Sequence, residues 1–296
     1  MTETRRTPRN APAASKATRV ASKGDPGSKT KEHHVFYQLP LYYDIVFGSD
    51  VLAEVEFYKR CFEQFAAGKV KRVLEPACGS GHYMVLLGKA GYQVTGYDLS
   101  PSMVAYTRER IKRARVSKRV RVLQGDMRNM TFAALSSKKF DVAINQINSL
   151  AYLQSDKDII DHFKVTAEAL VDKGLYIIEL TIKCEDFAKE HKPDETWTVE
   201  RDGVVVTATW KPLRYDLERK LRIVELTMHV DDHGTISDYS EIHELRLWTH
   251  EDIKQLTSAG GFDIIATFDG KFNPIPAATC ITGDEYEFPY FVLRKR

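Results

Sequence analysis

Carboxylates and small residues stand together at the ends of two apolar runs in the first half of the chain. Residues 75–81 read EPACGSG, a turn that opens with Glu75, and Asp98 follows 17 residues after Gly81. Small residues let a backbone approach its ligand closely, and a carboxylate at a strand end accepts hydrogen bonds from both hydroxyls of a ribose. This chemistry predicts a site for an adenosine-containing ligand. The small residues of the turn are Ala77, Gly79 and Gly81.

The residues around this turn predict the elements that hold it. Val73 and Leu74 end a short buried strand, residues 83–89 suit a helix, and residues 93–97 form a second strand that stops at Asp98. This order of strand, glycine turn, helix and strand is the nucleotide-binding unit of doubly wound sheets. The A-x-G-x-G spacing departs from the G-x-G-x-x-G that a dinucleotide pyrophosphate needs, which disfavours an NAD-dependent oxidoreductase.

The alternation of strands and helices continues after this unit. Residues 119–123, 140–145 and 175–180 read as strands, and a helix fits residues 156–171. Residues 125–128, which read GDMR, follow the end of a strand just as Asp98 does. Because parallel strands end at one edge of a sheet, these polar residues are expected to meet there. The pattern predicts an α/β fold with a doubly wound sheet.

The EPACGSG turn resembles the first motif of class I S-adenosylmethionine-dependent methyltransferases, and GDMR resembles a later motif of that family. The resemblance implies a Rossmann-like methyltransferase sheet, with S-adenosyl-L-methionine as cofactor. It implies that Asp98 holds the ribose and that Asp126 accepts a hydrogen bond from the adenine amino group. The residues so implied for cofactor binding are Tyr43, Glu75, Ala77, Gly79, Gly81, Asp98, Leu99, Met103, Asp126, Met127 and Gln146.

Residues 181–248 interrupt the alternation with four runs that are rich in β-branched and aromatic residues. Turns at 201–203 and 231–234 separate the runs, so an antiparallel β insertion after strand five is predicted. At that point in the chain it would cover the sheet edge where ligands bind. We expect residues 181–248 to form an acceptor lid. Residues 33–180 and 249–296 then form the S-adenosylmethionine-binding methyltransferase domain.

The insertion and the Tyr-Asp segment at 43–44 look like those of one methyltransferase subgroup. This subgroup contains sugar N,N-dimethyltransferases and, more distantly, glycine N-methyltransferase. The resemblance implies a small-molecule acceptor, with an amine as the group that is methylated, and it places Tyr43 near the methyl donor.

Three residues are candidates for the chemistry of such a transfer: His243, Glu179 and Tyr43. His243 lies on the last strand of the insertion, and as a general base it would take a proton from an amine. Glu179 ends strand five beside the predicted crevice and could bind an ammonium group, and Asn148 could position the acceptor. A histidine on a half-buried strand also suits a purely structural role, and the aromatic residues around Tyr43 also suit a core.

Residues 1–32 contain eight basic and three acidic residues and almost no large apolar side chains, so a disordered basic tail is predicted. Residues 1–32 carry a formal charge of +5 and the whole chain +2, which leaves a charge of −3 on the rest of the chain. A negative folded body disfavours nucleic acid as a partner. With no long apolar run, we expect no membrane span, and four scattered cysteines suit a cytoplasmic protein. No metal site is expected, and a homodimer remains open.

Two alternatives remain open from the residues. The basic tail could tether an RNA or protein methyltransferase to its substrate. However, residues 145–148 lack the N/D-P-P-Y/F motif of enzymes that methylate exocyclic base amines. A catalytically inactive S-adenosylmethionine-binding module would keep the same turn and the same carboxylates.

Overall fold

The computed structural model describes residues 35–48, 51–182, 194–283, 285–286 and 288–296. The predicted tail, residues 1–32, lies outside these ranges, as do residues 183–193 of the predicted lid. Within the described ranges, none of the helices combines the length and the apolar character needed to cross a bilayer.

Within the described ranges twelve strands form two sheets, and the larger sheet confirms the predicted doubly wound α/β fold. The strands are β1 (Arg72–Pro76), β2 (Gln93–Asp98), β3 (Val120–Gln124), β4 (Phe140–Asn145), β5 (Leu170–Glu179), β6 (Glu195–Arg201), β7 (Val204–Asp216), β8 (Leu221–Asp232), β9 (Thr235–Arg246), β10 (Phe262–Phe268), β11 (Pro274–Ile275) and β12 (Tyr290–Lys295). The larger sheet has the order β11-β10-β12-β5-β4-β1-β2-β3. Strands β1 to β5 pair in parallel, and β12 runs antiparallel to β5 and β10.

Strands β6 to β9 form a second, antiparallel sheet, which confirms the predicted β insertion after strand five. Two of its hairpin turns place paired residues at positive φ, namely Asp202 with Gly203 and His233 with Gly234. Two-residue hairpin turns of this kind match the right-handed twist of strands. The last strand of this sheet, β9, ends at Arg246, two residues before residue 248, where the insertion was predicted to end.

Seven α-helices pack around the two sheets. They are α1 (Pro40–Phe47), α2 (Val51–Phe65), α3 (His82–Lys89), α4 (Pro101–Arg113), α5 (Phe132–Leu135), α6 (Asp156–Ala169) and α7 (His250–Ala259), as counted in the described ranges. Side chains cap the starts of α4 and α7: Ser100 accepts from the Met103 N–H, and Thr249 forms a capping box with Asp252. Helix α6 ends earlier than the predicted residue 171 because Leu170 already pairs with Phe140 in the sheet.

Among the described residues, three large apolar cores and one small one hold these layers together. One contains residues of α2 and α3 against the central sheet, and another contains residues of α6 and α7. The third lies under the inserted sheet, where Phe36, Ile45 and Val46 pack with Val206 and Met228. The segment 35–47 comprises a 3-10 helix at 35–38 and helix α1. This N-terminal segment therefore lies against the inserted sheet, although some 150 residues separate the two along the chain.

Candidate active site

The glycine turn after β1 adopts a backbone that small residues favour. Ala77, Gly79 and Gly81 all have positive φ, at 51°, 50° and 76°. A Cβ on Gly81 would lie 2.5 Å from Thr107 Cγ2, so this position excludes a side chain. Thr107 Oγ1 also donates to the Gly79 carbonyl at 2.8 Å, which fixes the turn against α4. A Cβ on Gly79 would have only the Tyr43 ring within 4 Å, so this side of the turn is open.

Asp98 lies at the end of β2, beside the turn. Its Oδ2 accepts from the Gly79 N–H at 2.8 Å, and its Oδ1 accepts from the Ser100 N–H at 2.9 Å. Each carboxylate oxygen has about two lone pairs, so both retain capacity for a ligand hydroxyl. Burial raises the pKa of Asp98, against the smaller opposing effect of the backbone N–H groups.

Glu75 and Gln146 end the neighbouring strands β1 and β4, and both side chains are buried. Among the described residues, neither Glu75 Oε2 nor Gln146 Nε2 has a hydrogen-bond partner. Burial raises the pKa of Glu75 well above its ordinary value against the smaller opposing effect of the nearby Gln146 amide, and the Asp98 carboxylate raises it slightly further. Buried polar groups are normally paired, so this corner suits a ligand that carries a cation and hydrogen-bonding groups.

The other residues expected to bind cofactor differ in how they are placed. Asp126 is nearly buried, and Arg128 donates to it from both Nε, at 3.0 Å, and Nη2, at 2.6 Å. An adenine amino group would therefore share this carboxylate with a guanidinium. Met127 is half-buried and Leu99 is 39% exposed, whereas Met103 is fully buried. The Met103 side chain would have to move to touch a ligand.

A cavity of about 240 Å³ lies between the N-terminal segment, the carboxyl edge of the central sheet and the inserted sheet. The three residues predicted to be catalytic, Tyr43, Glu179 and His243, all line it, although they come from these three different parts of the molecule. Asn148 also lines the cavity, but its Oδ1 accepts from the Thr181 N–H at 3.1 Å. Sequence reasoning did not single out five further lining residues, which are Tyr37, Tyr152, Trp197, Trp210 and Arg222.

Glu179 is buried at the end of β5 with a perturbed carboxyl group. Its Oε2 accepts from the Ile147 N–H at 2.8 Å. Burial raises the pKa of Glu179 to about 7, and the Glu54 carboxylate contributes in the same direction. Tyr290, its cross-strand partner on β12, donates to Glu54. Near neutral pH, Glu179 can therefore accept a proton or bind a cation.

His243 is 1% exposed and belongs to a hydrogen-bonded chain. The Tyr152 hydroxyl lies 2.8 Å from His243 Nδ1, and the Tyr37 hydroxyl donates to that of Tyr152 at 2.6 Å. Trp210 stacks on the imidazole with the ring centroids 6.1 Å apart. Tyr37 belongs to an aromatic run that the sequence makes visible, but no periodic or motif signal marks Tyr152.

Asp44, the neighbour of Tyr43, holds the N-terminal segment in place through a buried carboxylate. It binds His82 and Arg110, accepts from Tyr106 at 2.8 Å, and accepts from Arg201 Nη2 at 2.6 Å. Burial alone would raise the pKa of Asp44, but His82 and Arg110 together lower it well below its ordinary value. One carboxylate thus joins α1 to α3, to α4 and to the first hairpin of the inserted sheet.

Comparison with known proteins shows which proteins this chain resembles. Residues 73–174 match the family model described as a methyltransferase domain. One relative is the protein of Bacillus subtilis (strain 168) named "Putative methyltransferase YqeM". It is 25% identical to this chain over 193 residues, which cover 65% of this chain and 74% of that protein.

A second relative comes from Streptomyces venezuelae. It is the dTDP-3-amino-3,4,6-trideoxy-alpha-D-glucopyranose N,N-dimethyltransferase, 24% identical over 65% of this chain and 75% of that protein. The fold is also similar to the crystal structure of DesVI from Streptomyces venezuelae, with a TM-score of 0.70, 20% identity, and coverage of 90% of this chain and all of that one.

S-adenosylmethionine fits the residues that the structure presents. The donor's ammonium and carboxylate match the unpaired Glu75 Oε2 and Gln146 Nε2. Its sulfonium matches the open side of the turn, and its adenosine matches Asp98. The matched domain and the relatives support an S-adenosylmethionine-dependent methyltransferase, and the fold is similar to that of the solved DesVI structure.

Proposed function

We propose that the chain methylates an amine nitrogen of a small-molecule acceptor, which binds in the cavity between the two sheets. The observation that carries this proposal is the cavity itself. It has a volume of about 240 Å³, and its wall includes both Tyr43, beside the glycine turn, and the buried carboxyl of Glu179. A space of this size suits a metabolite and excludes a folded polymer. The inserted sheet serves in this proposal as the acceptor lid.

The residues of the turn and of the strand ends would hold the cofactor. Glu75 would bind the donor's ammonium, the Gln146 amide its carboxylate, and Asp98 its ribose hydroxyls. Asp126 would accept a hydrogen bond from the adenine. When bound, S-adenosylmethionine supplies an electrophilic methyl group on a positively charged sulfur. The chain's own contribution is alignment of the acceptor, which supplies up to about 7–11 kcal/mol of a barrier.

Glu179 supports an amine as the group that enters the cavity. Its carboxyl lies in the cavity wall and is ionised in part near neutral pH, because burial raises its pKa to about 7. An ammonium group would pair with this carboxylate and favour its ionised form. A neutral hydroxyl acceptor would gain no such ion pair.

Arg222 supports an acceptor that also carries an anionic group. Its side chain lines the cavity, and its Nε is buried without a hydrogen-bond partner among the described residues. Arg222 is half-buried, and a guanidinium that is partly removed from water is stabilised by an anion, which the ligand could supply. Two relatives are named for dTDP-linked amino sugars, which combine an amine with a diphosphate. We propose an acceptor of that class.

The test is methyl transfer from S-adenosylmethionine to dTDP-3-amino-3,6-dideoxyglucose, followed by mass spectrometry. We expect a product heavier by one or two methyl groups. The matched control, dTDP-glucose, has a hydroxyl in place of the amine and should not react. Methylation of RNA or of a protein with no product from any amine would overturn the proposal. Cofactor binding without methylation of any of these acceptors would favour an inactive binding module.

A further inference from the structure

Three side chains form one hydrogen-bonded line through the cavity wall. The Tyr37 hydroxyl donates to the Tyr152 hydroxyl at 2.6 Å, and the Tyr152 hydroxyl lies 2.8 Å from His243 Nδ1. The three residues lie in the 3-10 helix at 35–38, in the 3-10 helix at 149–152 and on β9. All three line the cavity. Two hydroxyl groups followed by a ring nitrogen can pass a proton in one direction, from Tyr37 through Tyr152 to His243.

Tyr37 begins this line at the cofactor end of the cavity. Its carbonyl oxygen accepts from Ser100 Oγ at 2.7 Å, and Ser100 follows Asp98 by two residues. Its ring meets the Tyr43 ring edge-on, with the centroids 5.6 Å apart. The backbone of Tyr37 is thus fixed to the turn beside the predicted ribose site. Tyr37 and Tyr43 line the same cavity, so the acceptor proposed to bind there can reach the Tyr37 side chain.

The direction of the hydrogen bonds fits proton transfer away from the acceptor. Because Tyr37 donates to Tyr152, the Tyr152 proton is available to His243 Nδ1, which makes this nitrogen the acceptor in the neutral imidazole. A phenol oxygen has two lone pairs, so Tyr37 can accept from an ammonium while it donates to Tyr152.

We propose that Tyr37 is the catalytic residue that takes the proton from the acceptor's ammonium, and that Tyr152 and His243 are positioning residues that carry the charge away. This proposal rests on the proposed N-methylation. The ammonium N–H bond breaks as an O–H bond forms at Tyr37. The Tyr37 proton moves to the Tyr152 oxygen, and the Tyr152 proton moves to His243 Nδ1. The amine is left neutral with its lone pair free, and the positive charge lies on the imidazolium.

Burial explains why the protons would move together. It raises the pKa of Tyr37 well above its usual range and that of Tyr152 to about 12, so neither residue would persist as a phenolate. A concerted shift through both hydroxyls avoids that species.

The surroundings of His243 suit a transient positive charge. Trp210 stacks on the ring with 28° between the planes, and the centroid of Phe36 lies 6.0 Å away. An aromatic face attracts a cation. Among the residues that the structure describes, the titratable groups whose rings meet the imidazole include Tyr37 and Tyr152. The other charged groups of the same cavity wall are Glu179, Glu195, Arg222 and Arg246.

The test compares three single variants with dTDP-3-amino-3,6-dideoxyglucose as the probe. Tyr37→Phe and Tyr152→Phe keep the rings and remove one hydroxyl each, and each should lower kcat by about 10²-fold with KM and cofactor affinity within a factor of about three. The control is Tyr42→Phe, because the Tyr42 hydroxyl also joins the N-terminal segment to the inserted sheet, through Asp232 at 2.9 Å. Tyr42 is not part of the cavity wall, so this variant should keep its kcat.

The pH dependence separates a relay from a structural role. In the unaltered enzyme kcat should level off as the pH rises, whereas in Tyr152→Phe it should continue to rise to pH 9 because the solvent must remove the proton. His243→Asn added to Tyr152→Phe should cause no further loss, since both act in one line.

Normal kcat in Tyr152→Phe overturns the relay and leaves the N-methylation intact. A lower kcat with an unchanged pH profile also overturns it, because a packing defect would give that result. If the unaltered enzyme methylates no amine, the proposed function itself fails, and the relay fails with it.

Discussion

Replacing Asp44 by asparagine should both loosen the N-terminal segment and destabilise the fold. The substitution keeps the size of the side chain and removes its negative charge. That charge faces Arg110, Arg201 and His82. Two guanidinium groups would then lie beside a neutral amide, with no other carboxylate bound to either among the described residues.

The magnitude follows from how exposed the partners are. Removing one member of a buried ion pair costs about 3–5 kcal/mol. The Asp44 side chain is fully buried, but those of Arg110 and Arg201 are 19% and 34% exposed and stay partly hydrated. We therefore expect a loss of about 2–3 kcal/mol in the free energy of unfolding. For a domain of this size each kcal/mol corresponds to about 2–4 °C, so Tm should fall by about 4–12 °C.

The assay is thermal and urea unfolding of Asp44→Asn beside Asp161→Asn. Asp161 forms a solvent-exposed pair with Lys157 on α6, so its loss should leave the stability nearly unchanged. The pKa of Asp44 is lowered in the folded state, so its stabilising effect is present above the unfolded pKa of about 4 and is lost as the pH falls through the folded pKa. The difference from the unaltered chain should shrink as the pH falls below about 4. Equal stability of the two variants would refute the reasoning.

Three further predictions concern the site. Asp98→Ala removes a hydrogen bond to a charged acceptor, which contributes about 1.5–3 kcal/mol, so calorimetry should show S-adenosylmethionine binding weakened about tenfold to a hundredfold. An unchanged affinity would show that Asp98 does not hold the ribose. Because burial raises the pKa of Glu179 to about 7, its carboxylate fraction grows as the pH rises, and KM for the amine should fall between pH 6 and 8. Glu179→Gln should abolish this pH dependence of KM, and a dependence that persists in the variant would contradict the ion pair. Arg222→Gln should raise KM about tenfold or more for the dTDP-linked amine and leave it unchanged for an uncharged amine, whereas Arg219→Gln, on the exposed surface, should affect neither.

The succession of central strands and helices along the chain and the carboxylates that follow the strands were predictable from the sequence. Both depend on local patterns: apolar runs, glycine turns, and an acid at a strand end such as Asp98. The antiparallel sheet was predictable for the same reason, since Gly203 and Gly234 mark its hairpins. The end of α6 was not, because Leu170 suits a helix and only its pairing with Phe140 decides for the strand.

The contacts that complete the cavity depend on distant segments meeting. Tyr152 and His243 are 91 residues apart, and the short helix that carries Tyr152 has no periodic signal. The partners of Asp44 lie on three other elements, so a Tyr-Asp pair in the sequence reveals a polar residue and nothing about its neighbours. Placement of Tyr43, Glu179 and His243 in one wall was a prediction from topology; their catalytic roles remain proposals.

The separation of the N-terminal segment from its binding surface has a consequence for synthesis on the ribosome. Asp44 and Arg201 are 157 residues apart, and Phe36, whose N–H donates to Glu241, is 205 residues from that partner. Chains grow at about 5–20 residues per second, so the segment waits roughly 10–40 s for the inserted sheet to be made. During that interval Phe36, Ile45 and Val46 lack the partners that bury them in the folded chain, so these apolar side chains stay exposed to water. The cavity is therefore among the last parts of the molecule to form, after most of the central sheet has been synthesised.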